Sequence, residues 1–223
     1  MGQNIIFETQ DGSHSLMSEQ YQVSYHSKYG ALQETKHVFI EAGLNEKSLH
    51  QKEIDILEIG FGTGLNAYVT FLETLERGLQ ISYTAVEAYP IAEELVQQLN
   101  YPQLMGDSVQ DDVFQRFHAI PWEQPHTFSP QFQLVKEQKH FESLAYKAAF
   151  DLIYYDAFAP TAQPELWEEP ILAKMYQALR PGGIWVSYCA KGAVKRALRA
   201  IGFEVQTLPG PPGKREMIRA IKS

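Results

Sequence analysis

A single cysteine, Cys189, occurs among 223 residues, which excludes a disulfide framework and a cysteine-based zinc site. No run of about 18 apolar residues occurs and no basic segment precedes an apolar one at the start, so neither a membrane-spanning helix nor a secretory signal is expected and the cytoplasm is the default address. The seven histidines show no metal-ligand spacing. A Ser-His-Asp triad lacks a nucleophile-elbow sequence to anchor it, and there is no internal repeat or low-complexity tract.

Basic residues are scarce over most of the chain. From Met1 to Leu179, 10 Lys and Arg face 25 Asp and Glu, a balance of −15, whereas from Arg180 onward 9 face only Glu204 and Glu216, a balance of +7. Such a gradient fits one electropositive face that holds a polyanion, and it fits equally a solvated helix face with scattered lysines. With 44% apolar and 21% charged residues the chain can bury a core, and its length suits one large α/β domain and leaves no room for a second catalytic one.

Asn4–Thr9 and Ser13–Met17 flank Asp11-Gly12, a dipeptide that tolerates positive φ and predicts a hairpin. Residues 1–50 read as an appendage of short strands and a helical piece, and residues 51–223 as the main domain. There the apolar runs Ile54–Ile59, Ile81–Val86, Phe132–Val135, Phe150–Tyr155 and Ile184–Tyr188 predict strands. Leu65–Leu75, Ile91–Leu99 (capped by Asn100), 108–120, Pro170–Leu179 and Ala193–Ile201 predict helices. Glu204–Leu208 and Glu216–Ile221 are closing strands, and residues 121–130 read as irregular because Pro121, Pro125 and Pro130 interrupt them. Alternating strands and helices predict a mainly parallel sheet covered on both faces, with ligands bound beyond the carboxyl ends of its strands.

The informative residues fall at those ends: Gly60, Glu87, Gln138 and Asp156. Gly60-Phe61-Gly62-Thr63-Gly64 lets a ligand approach the backbone and opens a helix. No Lys-Ser/Thr follows, so it is not a phosphate-binding P-loop, and Leu65 stands where a dinucleotide fingerprint needs glycine. Alone the loop is also compatible with a structural tight turn. Glu87 ends the next strand and can accept both hydroxyl hydrogens of a ribose. Asp156 opens Asp156-Ala157-Phe158-Ala159-Pro160 and can accept a hydrogen bond from an amine beside a cofactor. Asp151, at the other end of that strand, reads as a solvated flank. Phe158 and Pro160 are candidates for an apolar wall or a packed turn. Arg180-Pro181-Gly182-Gly183 ends a helix, and Trp122, Trp167 and Trp185 read as core or pocket wall.

Taken together, several separated motifs resemble the methyltransferase domain of the MnmC family, which acts in 5-methylaminomethyl-2-thiouridine biosynthesis at the tRNA wobble position. They are Gly30-Ala31-Leu32-Gln33-Glu34-Thr35, Glu58-Ile59-Gly60-Phe61-Gly62-Thr63-Gly64-Leu65-Asn66, Glu87-Ala88-Tyr89-Pro90, Asp156-Ala157-Phe158-Ala159-Pro160 with Pro164 and Trp167, Arg180-Pro181-Gly182-Gly183, and Gly213-Lys214-Arg215-Glu216-Met217. The resemblance implies a class I, Rossmann-like, seven-stranded fold that binds S-adenosyl-L-methionine through Glu58, Gly60, Phe61, Gly62, Thr63, Gly64, Asn66, Glu87, Gln138 and Asp156. Where the family places Gly-Asp, this chain has Glu137-Gln138. Asp156 is then the catalytic residue, and no metal is required.

The implied substrate is tRNA bearing 5-aminomethyl(-2-thio)uridine, with Phe158 and Pro160 at the base and Lys191, Lys195, Arg196, Lys214 and Arg215 on phosphates. The FAD-dependent oxidase domain that many of these proteins carry has no counterpart here, so a separate enzyme is expected to supply the aminomethyl group. Asp156 can orient the amine or take its proton directly; with an ordinary carboxylate pKa of about 4 it is a weak base, so orientation is the preferred role. Rival readings are a small-molecule N-methyltransferase, a spermidine synthase-like aminopropyl transferase using Glu165, Glu168 and Glu169, and a nucleotide-binding module without catalysis.

Overall fold

The computed structural model describes residues 4–106 and 111–223. Strands β1 (Ile5–Glu8), β2 (His14–Ser18) and β3 (Val23–Ser24) form a small antiparallel sheet. Its first hairpin turns at Asp11-Gly12, with Gly12 at φ 83° and Glu8 opposite His14. The main sheet contains β4 (Glu53–Ile59), β5 (Gln80–Val86), β6 (Pro125–Ser129), β7 (Phe132–Glu137), β8 (Phe150–Tyr155), β9 (Leu179–Ser187), β10 (Phe203–Pro209) and β11 (Glu216–Lys222), in the order β10-β11-β9-β8-β4-β5-β7-β6. The central strands β7, β5, β4, β8 and β9 are parallel, while β11 and β6 run against their neighbours. This is the mainly parallel α/β architecture the alternation of elements predicts.

The sheet has eight strands rather than seven because residues 125–129 are not irregular. Pro125 is the first residue of an edge strand, where its missing N–H leaves no ladder bond unmade, and the strand pairs with β7 across a register shift at Thr127/Ser129. The helix expected over Ile91–Leu99 is shorter, Glu93–Val96. Asn100 does not cap it: its side chain donates to the Gly12 carbonyl (2.8 Å) and accepts from the His14 N–H (2.9 Å), tethering the hairpin to the main body. The helix Asp111–Ala119 forms within the expected 108–120; residues 108–110 lie outside the described residues.

Both faces of the sheet are covered, which is why β8 (Phe-Asp-Leu-Ile-Tyr-Tyr) is buried at every position and reads as a continuous run. One face carries the helix Leu65–Arg77 and a helical stretch over 31–48 that is π-helical over Lys36–Asn45. Phe39 of that stretch packs on Tyr154 (centroids 5.1 Å apart), and a Cβ on Gly43 would lie 3.1 Å from Val186. The other face carries the helices Glu169–Ala178 and Gly192–Ile201 over a core that includes Trp167 and Trp185.

Asp151 is not a solvated flank. It is buried, accepts the Asp55 N–H at 3.0 Å and pairs with Arg180 at 2.8 Å, and Arg180 also pairs with Asp55 at 2.8 Å. Arg180 thus ties β4 and β8 together at the end opposite the glycine loop, giving the Arg-Pro-Gly-Gly segment a structural role. Removing the guanidinium leaves a buried carboxylate short of a partner, so Arg180→Ala should lower stability by about 1–3 kcal/mol. Urea unfolding would measure it, with the midpoint shifted down and the slope unchanged.

Candidate active site

At the carboxyl ends of β4, β5 and β8 lies a cavity of about 870 Å³. Its walls come from the glycine loop, from Glu87 to Pro90, from Asp156 to Phe158, and from residues 140–142 and 163–166; the segment 18–22 and Tyr25 of the small N-terminal sheet close it on one side.

Two glycines explain the loop's composition. Gly60 has φ 91°, and a Cβ there would lie 2.8 Å from the Asp156 carbonyl oxygen. Gly64 has φ 75° and starts the helix Leu65–Arg77, where a Cβ would meet His118 Nε2 at 2.7 Å. His118 contacts the Thr63 carbonyl through a ring nitrogen at 3.0 Å, and burial pushes its pKa down to about 4, so it sits neutral behind the loop. Gly60, Phe61, Gly62 and Thr63 line the cavity; Gly64 is behind them. Glu87 accepts the Gly62 N–H at 3.0 Å with one oxygen and the Tyr89 N–H at 2.9 Å with the other. Burial raises its pKa against the pull of these bonds. The carboxylate is therefore held in place with lone pairs left for hydroxyl donors.

Asp156 lines the cavity, and its backbone N–H donates to the Ile59 carbonyl at 2.9 Å. One carboxylate oxygen accepts from Asn66 Nδ2 at 2.9 Å; the other has no hydrogen-bond partner among the described residues. Burial is the main cause that lifts its pKa to about 7, with the Glu34 charge adding to it and the Asn66 bond and Lys214 opposing it. The carboxyl is therefore not the ordinary one, with a pKa of about 4, on which the preference for an orienting role rested. Asn66 Nδ2 also donates to Glu58 Oε1 at 3.0 Å. Glu58 is fully buried beneath Asp156, and burial holds its carboxyl well above the usual range. Glu58 is not among the cavity-lining residues, and the Asn66 amide is engaged by two carboxylates, so neither is placed to contact a cofactor through its polar atoms.

The first and last of the separated motifs meet here. Lys214 pairs with buried Glu34 and sits 3.7 Å above the Tyr188 ring, whose hydroxyl donates to the Ala157 carbonyl at 2.8 Å. Lys214 is therefore a brace of the Asp156 segment rather than a free phosphate contact. Lys195 is likewise engaged, by Glu216 at 2.7 Å. Lys191, Arg196 and Arg215 are exposed and form no ion pair among the described residues, and Arg199 joins them. Lys191 follows the carboxyl end of β9 and Arg215 precedes β11, so both lie on the cavity side of the sheet.

Phe158 lines the cavity; Pro160 does not. Tyr21 and Tyr25 pack on Phe158 with centroids 5.2 and 5.0 Å apart. Sequence reasoning missed both tyrosines, because nothing in the local pattern of the hairpin says that it folds over the strand tips; His140 was missed as well, and Tyr89 was named within a motif without a role of its own. Gln138 is exposed, and its backbone N–H donates to Glu123 at 2.9 Å. The cavity wall after β7 is instead His140 to Glu142, so the adenine contact expected of Gln138 is not supported.

Among the described residues no Lys or Arg lines the cavity, while Glu19, Glu87, Glu142, Asp156 and Glu165 do. Such a lining attracts cations and repels phosphates. It fits a sulfonium donor with an uncharged ribose linkage, held at Glu87 and along the glycine loop, better than a dinucleotide with a pyrophosphate. Among the described residues there is no group of three or more His, Cys, Asp or Glu able to hold a metal ion, and no helix is long and apolar enough to cross a membrane.

Residues 132–223 match a family described as S-adenosyl-L-methionine-dependent methyltransferase. Over 213 residues the chain is 30% identical to the tRNA 5-methylaminomethyl-2-thiouridine biosynthesis bifunctional protein MnmC of Marinomonas sp. (strain MWYL1), covering 90% of this chain and 31% of that protein. The chain thus spans about a third of the length of such relatives. The crystal structure of MNMC2 from Aquifex aeolicus shares the fold with a TM-score of 0.79 at 24% identity, covering 99% of this chain and 70% of that one. Spermidine synthase from Thermotoga maritima shares it with a TM-score of 0.58 at 17% identity, covering 100% and 72%. Residues 132–223 are thus similar to an S-adenosylmethionine-dependent methyltransferase family, and nine-tenths of the chain is similar to about a third of the MnmC proteins.

Proposed function

We propose that the protein methylates the primary amine of 5-aminomethyl(-2-thio)uridine at the tRNA wobble position, giving 5-methylaminomethyl(-2-thio)uridine, in the cytoplasm. A separate reaction supplies the amine. The observation that carries this reading is a carboxylate with a pKa near 7 and one unengaged oxygen, set in an acid-lined cavity beside the glycine loop; kinship to MnmC directs it to tRNA.

An aminomethyl group arrives as an ammonium, which has no lone pair. The anionic lining draws it in, and Asp156 accepts its proton. Taking the lysine pKa as a stand-in for the amine, transfer to a carboxylate at about 7 costs roughly 5 kcal/mol, against roughly 9 kcal/mol for an ordinary aspartate. Burial thus removes nearly half of that cost. Bound S-adenosylmethionine supplies a methyl carbon made electrophilic by its sulfonium, and Glu87 and the glycine loop would hold it. Phe158, Tyr21 and Tyr25 offer the planar base an aromatic wall. The phosphates stay outside the cavity, where exposed Lys191, Arg196 and Arg215 are available to them.

The acidic lining also suits a free amine, which favours a small-molecule N-methyltransferase or aminopropyl transferase as the second reading. Of the acids that reading invoked, Glu165 lines the cavity and Glu168 and Glu169 do not. Incubating the protein with methyl-labelled S-adenosylmethionine, or with decarboxylated S-adenosylmethionine labelled in its aminopropyl group, and either tRNA lacking the terminal methyl or spermidine and putrescine separates the two. Label in the wobble nucleoside supports the tRNA reading; label only in the small amine refutes it.

Asp156→Ala should retain cofactor binding by calorimetry and lose at least about a hundredfold in turnover, the scale of a general base. For wild type, kcat should rise with pH through about 7 as Asp156 ionises. The folded-state pKa lies above the unfolded 3.8, so the ionised form is the costly one and wild type loses stability as pH rises from about 4 to 7. Asp156→Asn should therefore raise Tm at pH 8, and the gain should shrink as pH is lowered below 7. Replacing Lys191, Arg196 and Arg215 by alanine together should weaken tRNA binding and reduce the slope of log affinity against log salt by about 1 for each phosphate left without a cation. Filter binding over a salt series measures it, and the Kd for the cofactor should not move.

A further inference from the structure

Asn66 is fixed by three hydrogen bonds that use its amide completely in one orientation. Both N–H bonds are engaged, one by Glu58 Oε1 at 3.0 Å and one by Asp156 Oδ2 at 2.9 Å, and its carbonyl oxygen accepts the Thr35 hydroxyl at 2.8 Å. Thr35 and Glu58 are fully buried and Asn66 nearly so. Three other parts of the chain meet at this amide: Glu58 on β4, Asp156 after β8, and Thr35 from the N-terminal helical stretch. Turning the amide over would press its oxygen against the Asp156 carboxylate and set its NH₂ against the Thr35 hydroxyl. The Thr35 hydroxyl satisfies the remaining acceptor, which would otherwise be buried without a partner.

We infer that Thr35, which does not line the cavity, is a positioning residue for the reaction: by pinning the Asn66 amide it keeps Oδ2 of Asp156 occupied and leaves the other oxygen for the acceptor amine. This rests on Asp156 being the proton acceptor. An amide released from Thr35 donates less steadily to Asp156, so the carboxylate loses an interaction that favours its charged form and gains freedom to turn its open oxygen from the cavity. Glu34, the neighbour of Thr35, acts on the same carboxylate only through its charge. The helical stretch therefore reaches Asp156 by both a hydrogen-bond relay and a field.

Thr35→Val keeps the shape and removes the hydroxyl. Its kcat on undermethylated tRNA at pH 7 should fall about tenfold, the scale of one buried hydrogen bond, with the KM for S-adenosylmethionine within about twofold of wild type. The acid limb of its kcat–pH profile should move to higher pH, so that much of the loss is recovered at pH 9, and Thr35→Ser should restore wild-type behaviour. A defect of folding alone would lower kcat equally at all pH values. Where Thr35→Val is insoluble, Thr35→Ala is read by the same measurements. Asp156→Ala inactive beside Thr35→Val with wild-type kcat and an unmoved limb would overturn the inference and leave the proposed reaction standing, as would a loss constant with pH that serine does not restore. An Asp156→Ala enzyme with full turnover would overturn both.

Discussion

The passage of the Gly60 backbone beneath the Asp156 carbonyl fixes the geometry on which the site depends. The pairing of β4 with β8 ends with the Asp156 N–H on the Ile59 carbonyl at 2.9 Å, and the next residue of β4 comes so close that a Cβ would lie 2.8 Å from the Asp156 oxygen. At that distance only a glycine passes, and at φ 91° only a glycine is unstrained. The glycine loop and the carboxylate are therefore two halves of one contact. The Arg180 clamp on Asp55 and Asp151 ties the same two strands at their other ends, and together the two features hold β4 and β8 in register along their length.

Burial at this junction accounts for the chemistry. Asp156 lies over Glu58, and two carboxylates one amide apart with little water between them cannot both be ionised cheaply. Full burial assigns the neutral role to Glu58, which has no exposed surface, while Asp156 borders the cavity and titrates near 7. Glu34 and Lys214 are the outer layer of the same arrangement: Glu34 raises the Asp156 pKa, Lys214 lowers it, and their ion pair holds both charges near balance. This gives the N-terminal and C-terminal motifs a shared reason for their composition.

Much of the fold was legible because parallel strands covered on both faces must be continuous apolar runs, and Ile54–Ile59 and Phe150–Tyr155 are such runs. The residues at strand ends were legible for the same reason: a run that stops at Gly60, Glu87 or Asp156 marks where a ligand can approach. The failures share a cause. Pro125 suggested irregular chain, yet an edge strand admits proline at its start; Asn100 suggested a helix cap, yet its amide is taken by Gly12 and His14 across the fold. Lys214 and Lys195 suggested phosphate contacts because charge is visible in a sequence and pairing is not. Tyr21 and Tyr25 carried no local signal, since their place over Phe158 follows from how the small sheet docks.

On the proposed function, the opposed charges of cavity and rim reconcile an acidic protein with a nucleic-acid substrate. A net charge of −8 disfavours polyanions at long range, but at an ionic strength of 0.15 M charges beyond about 8 Å are largely screened. The exposed Lys191 and Arg215 lie on the cavity side of the sheet, while Glu19, Glu87, Glu142, Asp156 and Glu165 line the cavity itself. A phosphate that strays inward meets carboxylates, and an ammonium that stays outward meets guanidinium groups. On that same proposal, an acceptor carrying its cation on the base and its anions on the backbone suits both regions at once. A free polyamine gains from the cavity and loses at the rim, and an unmodified uridine gains at the rim and finds no partner for Asp156. On the proposed function, selection of a cationic base within an anionic chain would follow from where the charges lie, without base-edge hydrogen bonding.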